Sequence, residues 1–349
     1  MREEMSRATM KAAVLNEIGK PIAMENVPIP KPADGEILVE TKACGICGTD
    51  LHMIDGWGYT PELPFIMGHE PAGVVRELGP KAQGFEVGDR VVTNNFFACG
   101  RCFYCRTNRE TQCTSLDGIL GVLKYNGGYG NYFSIPDDQL FHLPESIPFT
   151  EGAIIADAVV TAVHAVKQAR IRPLAIVVVI SAGGIGSCII QICNSYGVHV
   201  MVIVRSEIKK KRAYEMGADK VFNTQAIDAA SAIKAEGQRR GADCVFDCVG
   251  NEETLQLSMD CLSNGGRLVI VGYTQQRLSL DPRQVAVHEI EVIGSRSGGK
   301  QDTIEAIEFV KSENWRPIVS DLFPIEKVNE ALKYLREGKA LGRIVLTHD

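Results

Sequence analysis

Four cysteines crowd into one short polar segment, and this feature constrains the fold of the chain most. Their spacing, Cys99-x2-Cys102-x2-Cys105-x7-Cys113, brings four thiolates within reach of one ion. Zinc takes such a set as a closed tetrahedron, which predicts a structural metal site. Gly100 allows the loop to turn around the metal. Four buried cysteines in a loop and an iron–sulfur cluster are the alternatives.

Composition and charge bound the class of protein. The chain has 349 residues and eleven cysteines, and its first ten residues lack the apolar centre of a secretory signal. Its thiols are therefore expected to stay reduced, which predicts a cytoplasmic protein without a disulfide framework. The net charge of −6 gives nonspecific nucleic-acid binding no general support. The longest apolar run, residues 174–180, is too short to cross a membrane.

The pattern of predicted secondary structure changes twice along the chain. The length of the chain predicts two domains. From Met10 to about Pro144, short β-like runs broken by glycine and proline predict an irregular β-barrel. From about Val159 to Arg296, six apolar strands alternate with helices, which predicts a doubly wound parallel sheet. Its predicted strands are residues 175–180, 198–204, 220–222, 244–247, 268–271 and 292–293.

A second set of candidate metal ligands precedes the cysteine cluster, in the segments CGTDLH (47–52) and GHE (68–70). A thiolate, an imidazole and a nearby carboxylate from these segments would form an open zinc site, which can bind an alcohol oxygen. Thr49 carries a hydroxyl that accepts and donates protons, and His52 titrates near neutrality. A turn residue for Thr49 and a surface histidine for His52 are the alternatives.

These motifs resemble those of a known family. GICGTDLH (45–52), GHEPAGVVRELG (68–79) and the four-cysteine cluster, in this order, resemble the zinc-dependent medium-chain alcohol dehydrogenases over about residues 10–347. The resemblance implies a GroES-like catalytic domain (1–158 and 297–349) and a Rossmann domain with a six-stranded parallel sheet (159–296). It also implies hydride transfer between an alcohol, or its aldehyde or ketone, and a nicotinamide cofactor. We expect a homo-oligomer, either a dimer or a tetramer.

The resemblance also implies a catalytic zinc site, so that two zinc ions per chain are expected. Cys47 and His69 match zinc ligands, and Glu70 matches a glutamate that ligates zinc in some states. The remaining ligand lies four residues before Thr161, at Asp157. A carboxylate buried at the start of an apolar helix needs a metal or a partner. An N-cap for that helix is the alternative.

A strand followed by a glycine-rich turn predicts the dinucleotide site. In SAGGIG (181–186), serine replaces the first glycine of the usual G-x-G-x-x-G pattern. The predicted cradle consists of Ser181, Gly183, Gly184, Ile185 and Gly186. The resemblance adds a proton relay of Thr49 and His52 through the cofactor ribose, and cofactor contacts at Thr161, Gly250, Gly272, Ser295 and Arg343.

The end of the next strand predicts the choice of cofactor. The family's acidic position, which binds the ribose hydroxyls of NAD, falls on Val204. Arg205, Ser206 and Lys209 follow, and their cations and hydroxyl favour a 2′-phosphate. We therefore expect NADP(H) rather than NAD(H). A solvated basic helix face along residues 209–212 is the alternative.

Three competing functions remain open at this point. A zinc-free quinone or enone reductase lacks the cysteine cluster, so the sequence argues against it. A noncatalytic zinc-binding scaffold has no need of Thr49, His52 and Asp157. A polyol or sugar-alcohol dehydrogenase of the same family stays possible, because Trp57 and Tyr59 narrow the predicted substrate site without naming the alcohol.

Overall fold

Residues 8–237, 240–312 and 315–348 are described by a computed structural model, which divides into two units. The first unit ends at Asp157 and resumes at Gly298, and the second comprises Ala158–Ser297. These divisions lie one residue from the predicted domain boundaries. Residues 1–7, to which the expected lack of a secretory signal partly refers, lie outside the described residues.

Short strands dominate the first part of the first unit, where glycine and proline interrupt the β-like runs. Its strands are β1 (Thr9–Leu15), β2 (Ala23–Pro28), β3 (Glu36–Ile46), β4 (Phe65–Ile66), β5 (Glu70–Leu78), β6 (Arg90–Thr93), β7 (Phe96–Phe97), β8 (Gly118–Leu120), β9 (Lys124–Tyr125), β10 (Tyr132–Pro136) and β11 (Leu140–His142). Its helices are α1 (Gly48–Ile54) and α2 (Phe149–Ile154).

Strands alternate with helices through the second unit. The strands are β12 (Ile176–Ile180), β13 (His199–Val204), β14 (Lys220–Asn223), β15 (Ala242–Asp247), β16 (Leu262–Ile270) and β17 (Glu291–Gly294). The helices are α3 (Val160–Ala169), α4 (Gly184–Ser195), α5 (Glu207–Glu215), α6 (Ala229–Glu236), α7 (Glu252–Cys261) and α8 (Pro282–Val287). The chain then returns to the first unit through α9 (Lys300–Lys311), β18 (Val319–Pro324), α10 (Val328–Arg336) and β19 (Arg343–Thr347).

The second unit contains the predicted six-stranded parallel sheet. Its strand order is β14-β13-β12-β15-β16-β17, with every neighbouring pair parallel. This order places β12 in the middle, where its run of isoleucine and valine is buried on both faces. The doubly wound fold predicted from the sequence is therefore confirmed.

The main sheet of the first unit mixes early strands with the last two. Its order is β11-β6-β5-β3-β19-β18, and β10 also pairs with β3. The apolar side chains of β3, β5, β6 and β10 pack into a core that includes Ile37, Val75, Val91 and Phe133. Because β19 lies next to β3, residues near both ends of the chain meet in one sheet.

The helix at the end of the first part of this unit is interrupted at Asp157. A π-helical segment, Ile155–Val159, separates α2 from α3. Val159 at the start of α3 has helical backbone angles and makes no side-chain cap. The expected helix start at Asp157 is therefore wrong, and with it the N-cap alternative. Such π-turns often mark functional sites.

The combined helical segment Phe149–Ala169 is apolar enough, by length and composition, to cross a membrane. Residues 174–180 remain the longest uninterrupted apolar run, but their length did not reveal this longer helical segment, in which polar residues are interspersed. About 72% of its most apolar 18-residue window is buried within the protein, as is typical of a core helix. This one helix is weak evidence for a membrane span.

We predict that Leu174→Gly stabilises the protein. Leu174 follows Pro173 in a turn closed by an Ala175 N–H bond to the Arg172 carbonyl, at φ +65° and with 88% of the residue exposed. The left-handed conformation costs a residue with a Cβ about 1 kcal/mol or more, which exceeds the entropy that glycine loses on folding. The midpoint of thermal unfolding should therefore rise.

Leu174→Ala is the matched control for this prediction. It removes the exposed leucine but keeps the Cβ, so the midpoint should not rise. An equal gain from both variants would show that the exposed side chain, rather than the backbone angle, carries the effect.

Candidate functional site

Three strand ends in the first unit bring the candidate zinc ligands together. The strand β3 ends one residue before Cys47, and the antiparallel strands β5 and β19 begin at Glu70 and Arg343. The register pairs Gly45 with Glu70 on one side and with Val345 on the other. One end of this sheet therefore carries a thiol, a carboxylate and a guanidinium.

Four candidate donor atoms converge at this end of the sheet. One atom each from Cys47, His69, Glu70 and Asp157 lies within 4.8 Å of all the others. His69 Nε2 is 3.1 Å from Cys47 Sγ, 3.8 Å from Glu70 Oε1 and 4.0 Å from Asp157 Oδ2. Ligands at about 2.0–2.3 Å from one zinc ion have comparable mutual separations. The donor set thus fits a single zinc ion.

Asp50, which sequence reasoning missed, orients the histidine of this set. Its Oδ2 accepts a hydrogen bond from the Cys47 N–H at 2.8 Å, and its Oδ1 lies 3.5 Å from His69 Nδ1. A carboxylate behind a metal-binding histidine directs the other ring nitrogen toward the metal. Asp50 is the third residue of α1, so the capping pattern after Cys47 was the available signal.

Acidic groups outnumber basic groups around these ligands. Burial raises the pKa of Glu70 to about 8, which favours the protonated carboxyl while no metal is bound, and its Oε2 has no hydrogen-bond partner in the described chain. Arg343 Nη2 lies 2.9 Å from Glu70 Oε1 and 2.8 Å from Asp157 Oδ2. Once Cys47 and Glu70 lose their protons, the guanidinium of Arg343 no longer balances the negative charge of the site, and a divalent cation would do so.

Two further observations concern these charges. A Cβ on Gly45 would lie 2.0 Å from Glu70 Oε2, so only glycine leaves room for this carboxylate. The structure places Arg343, predicted at the cofactor pyrophosphate, against the carboxylates of Glu70 and Asp157. Its contact with the cofactor stays a prediction.

The predicted relay residues share helix α1. Thr49 donates its N–H to Cys47 Sγ at 3.3 Å, and His52 follows one turn later on the same face. The His52 ring stacks on Trp57 with 3.7 Å between centroids. Burial lowers the pKa of His52 below its ordinary value. His52 is therefore half-buried and disposed to be neutral, unlike an ordinary surface histidine.

The four-cysteine cluster forms a second donor set in the same unit. The sulfur of Cys102 is 3.5 Å from that of Cys105 and 4.0 Å from that of Cys113, and Cys99 is 4.0 Å from Cys105. A tetrahedron of zinc–sulfur bonds of about 2.3 Å places sulfurs roughly 3.8 Å apart. These separations leave room for one ion and too little for a cluster of several irons.

Backbone groups prepare the cysteine cluster for a metal. Backbone N–H groups of Cys105 and Thr114 hold the pKa of Cys102 at about 5, which favours the thiolate. Glu110, between the third and fourth cysteines, accepts the Lys300 N–H at 2.8 Å. The loop is thereby joined to the N-terminus of α9.

The glycine-rich turn of the second unit has the features of a phosphate cradle. Ser181 takes φ +81°, the left-handed conformation that the usual glycine adopts freely. A Cβ on Gly186 would lie 1.9 Å from the Ser181 carbonyl oxygen, whereas a Cβ on Gly183 would meet only Ser181 Oγ, at 3.6 Å. Helix α4 begins with Gly184 and Ile185, and no side chain caps its N-terminus at Gly183, so that backbone N–H groups there are available to a phosphate.

The other predicted cofactor residues lie in the same unit. A Cβ on Gly250 would lie 2.1 Å from the Gly272 carbonyl oxygen, so close packing of two turns explains both glycines. Ser295 follows β17, and its buried hydroxyl has no hydrogen-bond partner among the described residues. Thr161 is buried in the first turn of α3.

The residues predicted to choose the cofactor have local partners. Val204 ends β13, and Arg205 forms an exposed ion pair with Glu253 of α7. Ser206 caps α5 by accepting the Lys209 N–H at 3.4 Å. Burial lowers the pKa of the Lys209 amine, which has no ion-pair partner in the described chain.

Comparisons with known proteins agree with this geometry. Residues 33–145 match the alcohol dehydrogenase GroES-like domain, and residues 184–312 match the zinc-binding dehydrogenase domain. An alcohol dehydrogenase of Geobacillus stearothermophilus is 35% identical over 97% of this chain and 98% of its own length. An NAD-dependent alcohol dehydrogenase of Sulfurisphaera tokodaii is 33% identical over 97% and 99%.

A solved structure shares the whole fold. The putative zinc-binding dehydrogenase of Sinorhizobium meliloti, bound to NADP, has a TM-score of 0.87 and 27% identity, covering 98% of this chain and 100% of that one. Since both family domains match in order and the relatives align over nearly all of the chain, it belongs to the zinc-binding alcohol dehydrogenase family of medium-chain type.

Proposed function

We propose that this protein oxidises an alcohol, or reduces the corresponding aldehyde or ketone, by hydride transfer with a nicotinamide cofactor. The observation that carries the proposal is the convergence of Cys47, His69, Glu70 and Asp157 on one point of the first unit. The glycine-rich turn at the N-terminus of α4 supports a dinucleotide in the second unit. A noncatalytic scaffold explains neither the half-buried His52 nor the open space at Gly183.

Each residue of the site has a defined task in this proposal. Zinc, when bound to Cys47, His69 and Asp157, supplies a Lewis acid that polarises a substrate oxygen, with Glu70 as a further ligand. Asp50 keeps His69 Nε2 turned toward the ligand set. The Thr49 hydroxyl takes the proton of the alcohol, and His52 passes it to solvent. The Cys99, Cys102, Cys105 and Cys113 site holds a structural zinc.

We further propose a preference for NADP over NAD. Val204 offers no carboxylate to the adenosine ribose, and Arg205 and Lys209 are the nearest cations along the chain. The ion pair of Arg205 with Glu253 is exposed and therefore weak, so a 2′-phosphate can compete for the guanidinium. Relatives of both kinds exist, one named NAD-dependent and one solved with NADP.

The compartment and assembly stay predictions. Four cysteines at metal-binding spacing need reduced thiols, which supports a reducing compartment such as the cytoplasm. A dimer or tetramer is expected, and size-exclusion chromatography with light scattering decides between them.

Metal content tests the two donor sets. Wild-type protein should hold about two zinc ions per chain by elemental analysis. Cys47→Ala should lose one ion and nearly all activity, while the cysteine cluster stays filled. Cys102→Ser should lose the other ion and unfold at lower temperature, because structural zinc binding contributes to folding.

Cys44→Ala is the matched control for Cys47→Ala. Cys44 is also fully buried, but its sulfur donates to the Gly45 carbonyl and is not part of the donor set. This variant should keep two ions per chain. Wild-type protein with a single zinc after zinc-replete expression would contradict the catalytic site.

The pH dependence of alcohol oxidation tests His52. Only neutral imidazole accepts a proton, and the lowered pKa of His52 keeps it neutral to pH values below its ordinary titration. As the pH is lowered, the wild-type kcat/KM should therefore begin to fall only at pH values below the ordinary pKa of histidine. His52→Gln should slow oxidation most near and below neutral pH, and imidazole buffer should partly restore the rate.

His142→Gln is the control for the pH experiment, because His142 is an exposed histidine of the same unit. It should leave the pH profile unchanged. An unaltered profile in His52→Gln would remove His52 from the mechanism.

Kinetics with both cofactors test the role of Arg205. Wild-type kcat/KM should be higher with NADP, and Arg205→Ala should reduce this preference about tenfold or more, chiefly through KM for NADP. Glu253→Gln frees the guanidinium and should strengthen NADP binding. Lys211→Ala, which alters an exposed residue of α5, should leave kcat/KM unchanged with NADP and with NAD. A wild-type enzyme about tenfold better with NAD would overturn the preference.

A further inference from the structure

A basic cavity lies on the second unit, next to the amino end of β12 and away from the glycine-rich turn. Its volume is about 590 Å³, and the loop of residues 169–175 between α3 and β12 forms one wall. Cys244, Arg267 and Glu291, which stand in register on the neighbouring strands β15, β16 and β17, line the other. The glycine-rich turn follows the carboxyl end of β12, so the cavity is separate from the predicted cofactor cradle.

Arginine dominates the ionisable groups of this cavity. The lining contains four arginines and two carboxylates: Arg170, Arg172, Arg240, Arg267, Asp243 and Glu291. The cavity therefore carries two positive charges in excess, although the whole chain is acidic, with a net charge of −6.

Both carboxylates already form ion pairs with two of these arginines, Arg240 and Arg267. Arg240 Nη2 lies 2.9 Å from Asp243 Oδ2, which also accepts the Ile176 N–H at 2.8 Å. Arg267 contacts Glu291 through Nη2 at 2.6 Å and Nε at 3.2 Å. Its Nη1 donates to the Ala169 carbonyl, which ends α3. Arg267 is thus a fixed part of the wall.

Arg170 and Arg172 are left with their charge uncompensated. Neither guanidinium has an ion pair or hydrogen bond with the described residues, and each acts on Glu291 only at longer range. Their backbones are held, since the Arg170 N–H bonds to the Lys167 carbonyl and the Arg172 carbonyl closes the turn to Ala175. Two anchored, unpaired arginines thus border one cavity.

We propose that this cavity binds a compact anion with at least two negative charges, a phosphate or diphosphate group. Guanidinium groups bind such oxyanions through paired, charge-assisted hydrogen bonds, and two of them are available here. The volume also admits a nucleoside that carries the diphosphate. The site stands independently of the proposed dehydrogenase activity.

Calorimetric titration of the zinc-loaded protein tests this site, with saturating reduced cofactor present so that the glycine-rich turn is filled. Inorganic pyrophosphate and ADP are the two probes, and zinc content is measured after each titration. We expect saturable binding that weakens as salt is added. Tighter binding of pyrophosphate identifies a free anion, and tighter binding of ADP identifies a nucleotide, and both support the site.

Arg170→Gln with Arg172→Gln should weaken binding of the preferred probe at least about tenfold. Lys20→Gln with Lys31→Gln removes the same charge from exposed positions of the first unit and should leave the affinity unchanged. Equal thermal unfolding of all variants excludes a loss of fold. A wild-type protein that binds neither probe would overturn the proposal. Equal affinity of the wild type and the Arg170→Gln, Arg172→Gln double variant for the preferred probe would also overturn it.

Discussion

Burial of acidic groups where β3, β5 and β19 meet is the constraint on which the rest of the site depends. Asp50 and Glu70 are fully buried, and Asp157 lies beside them. An unpaired charge in such a place costs several kcal/mol, so cations must reach the same point. Arg343 arrives on the last strand of the chain, and the remaining negative charge fits a divalent ion.

In both units, a glycine without a side chain allows two parts of the chain to approach closely. A Cβ on Gly45 would collide with the Glu70 carboxylate, and a Cβ on Gly186 would collide with the Ser181 carbonyl oxygen. In the first unit the space holds a candidate ligand, and in the second it lets a helix N-terminus approach a strand end. Each site thus rests on a close approach that any larger residue would prevent.

Most of the fold was predictable because its signals are local. The run at β12 is apolar and β-branched, and the turn after it is rich in glycine, so strand, turn and helix followed from short segments. The family prediction and the reaction class are confirmed. Helix α8, with no buried residue to give it periodicity, was missed. Asp157 was misplaced at a helix start because a π-turn has no recognised sequence signal.

The sequence by itself determined which donor atoms are available and the spacing that groups four cysteines around one ion, because neighbours along the chain cannot move far apart. Only the tertiary structure decided which distant groups face each other. The register of β3 with β5 and β19 brings Arg343 to Glu70 and Asp157, and helix α1 sets Asp50 behind His69. Glu70 and Arg343 are far apart along the chain, so their contact depends on strand pairing. No local sequence pattern encodes that pairing.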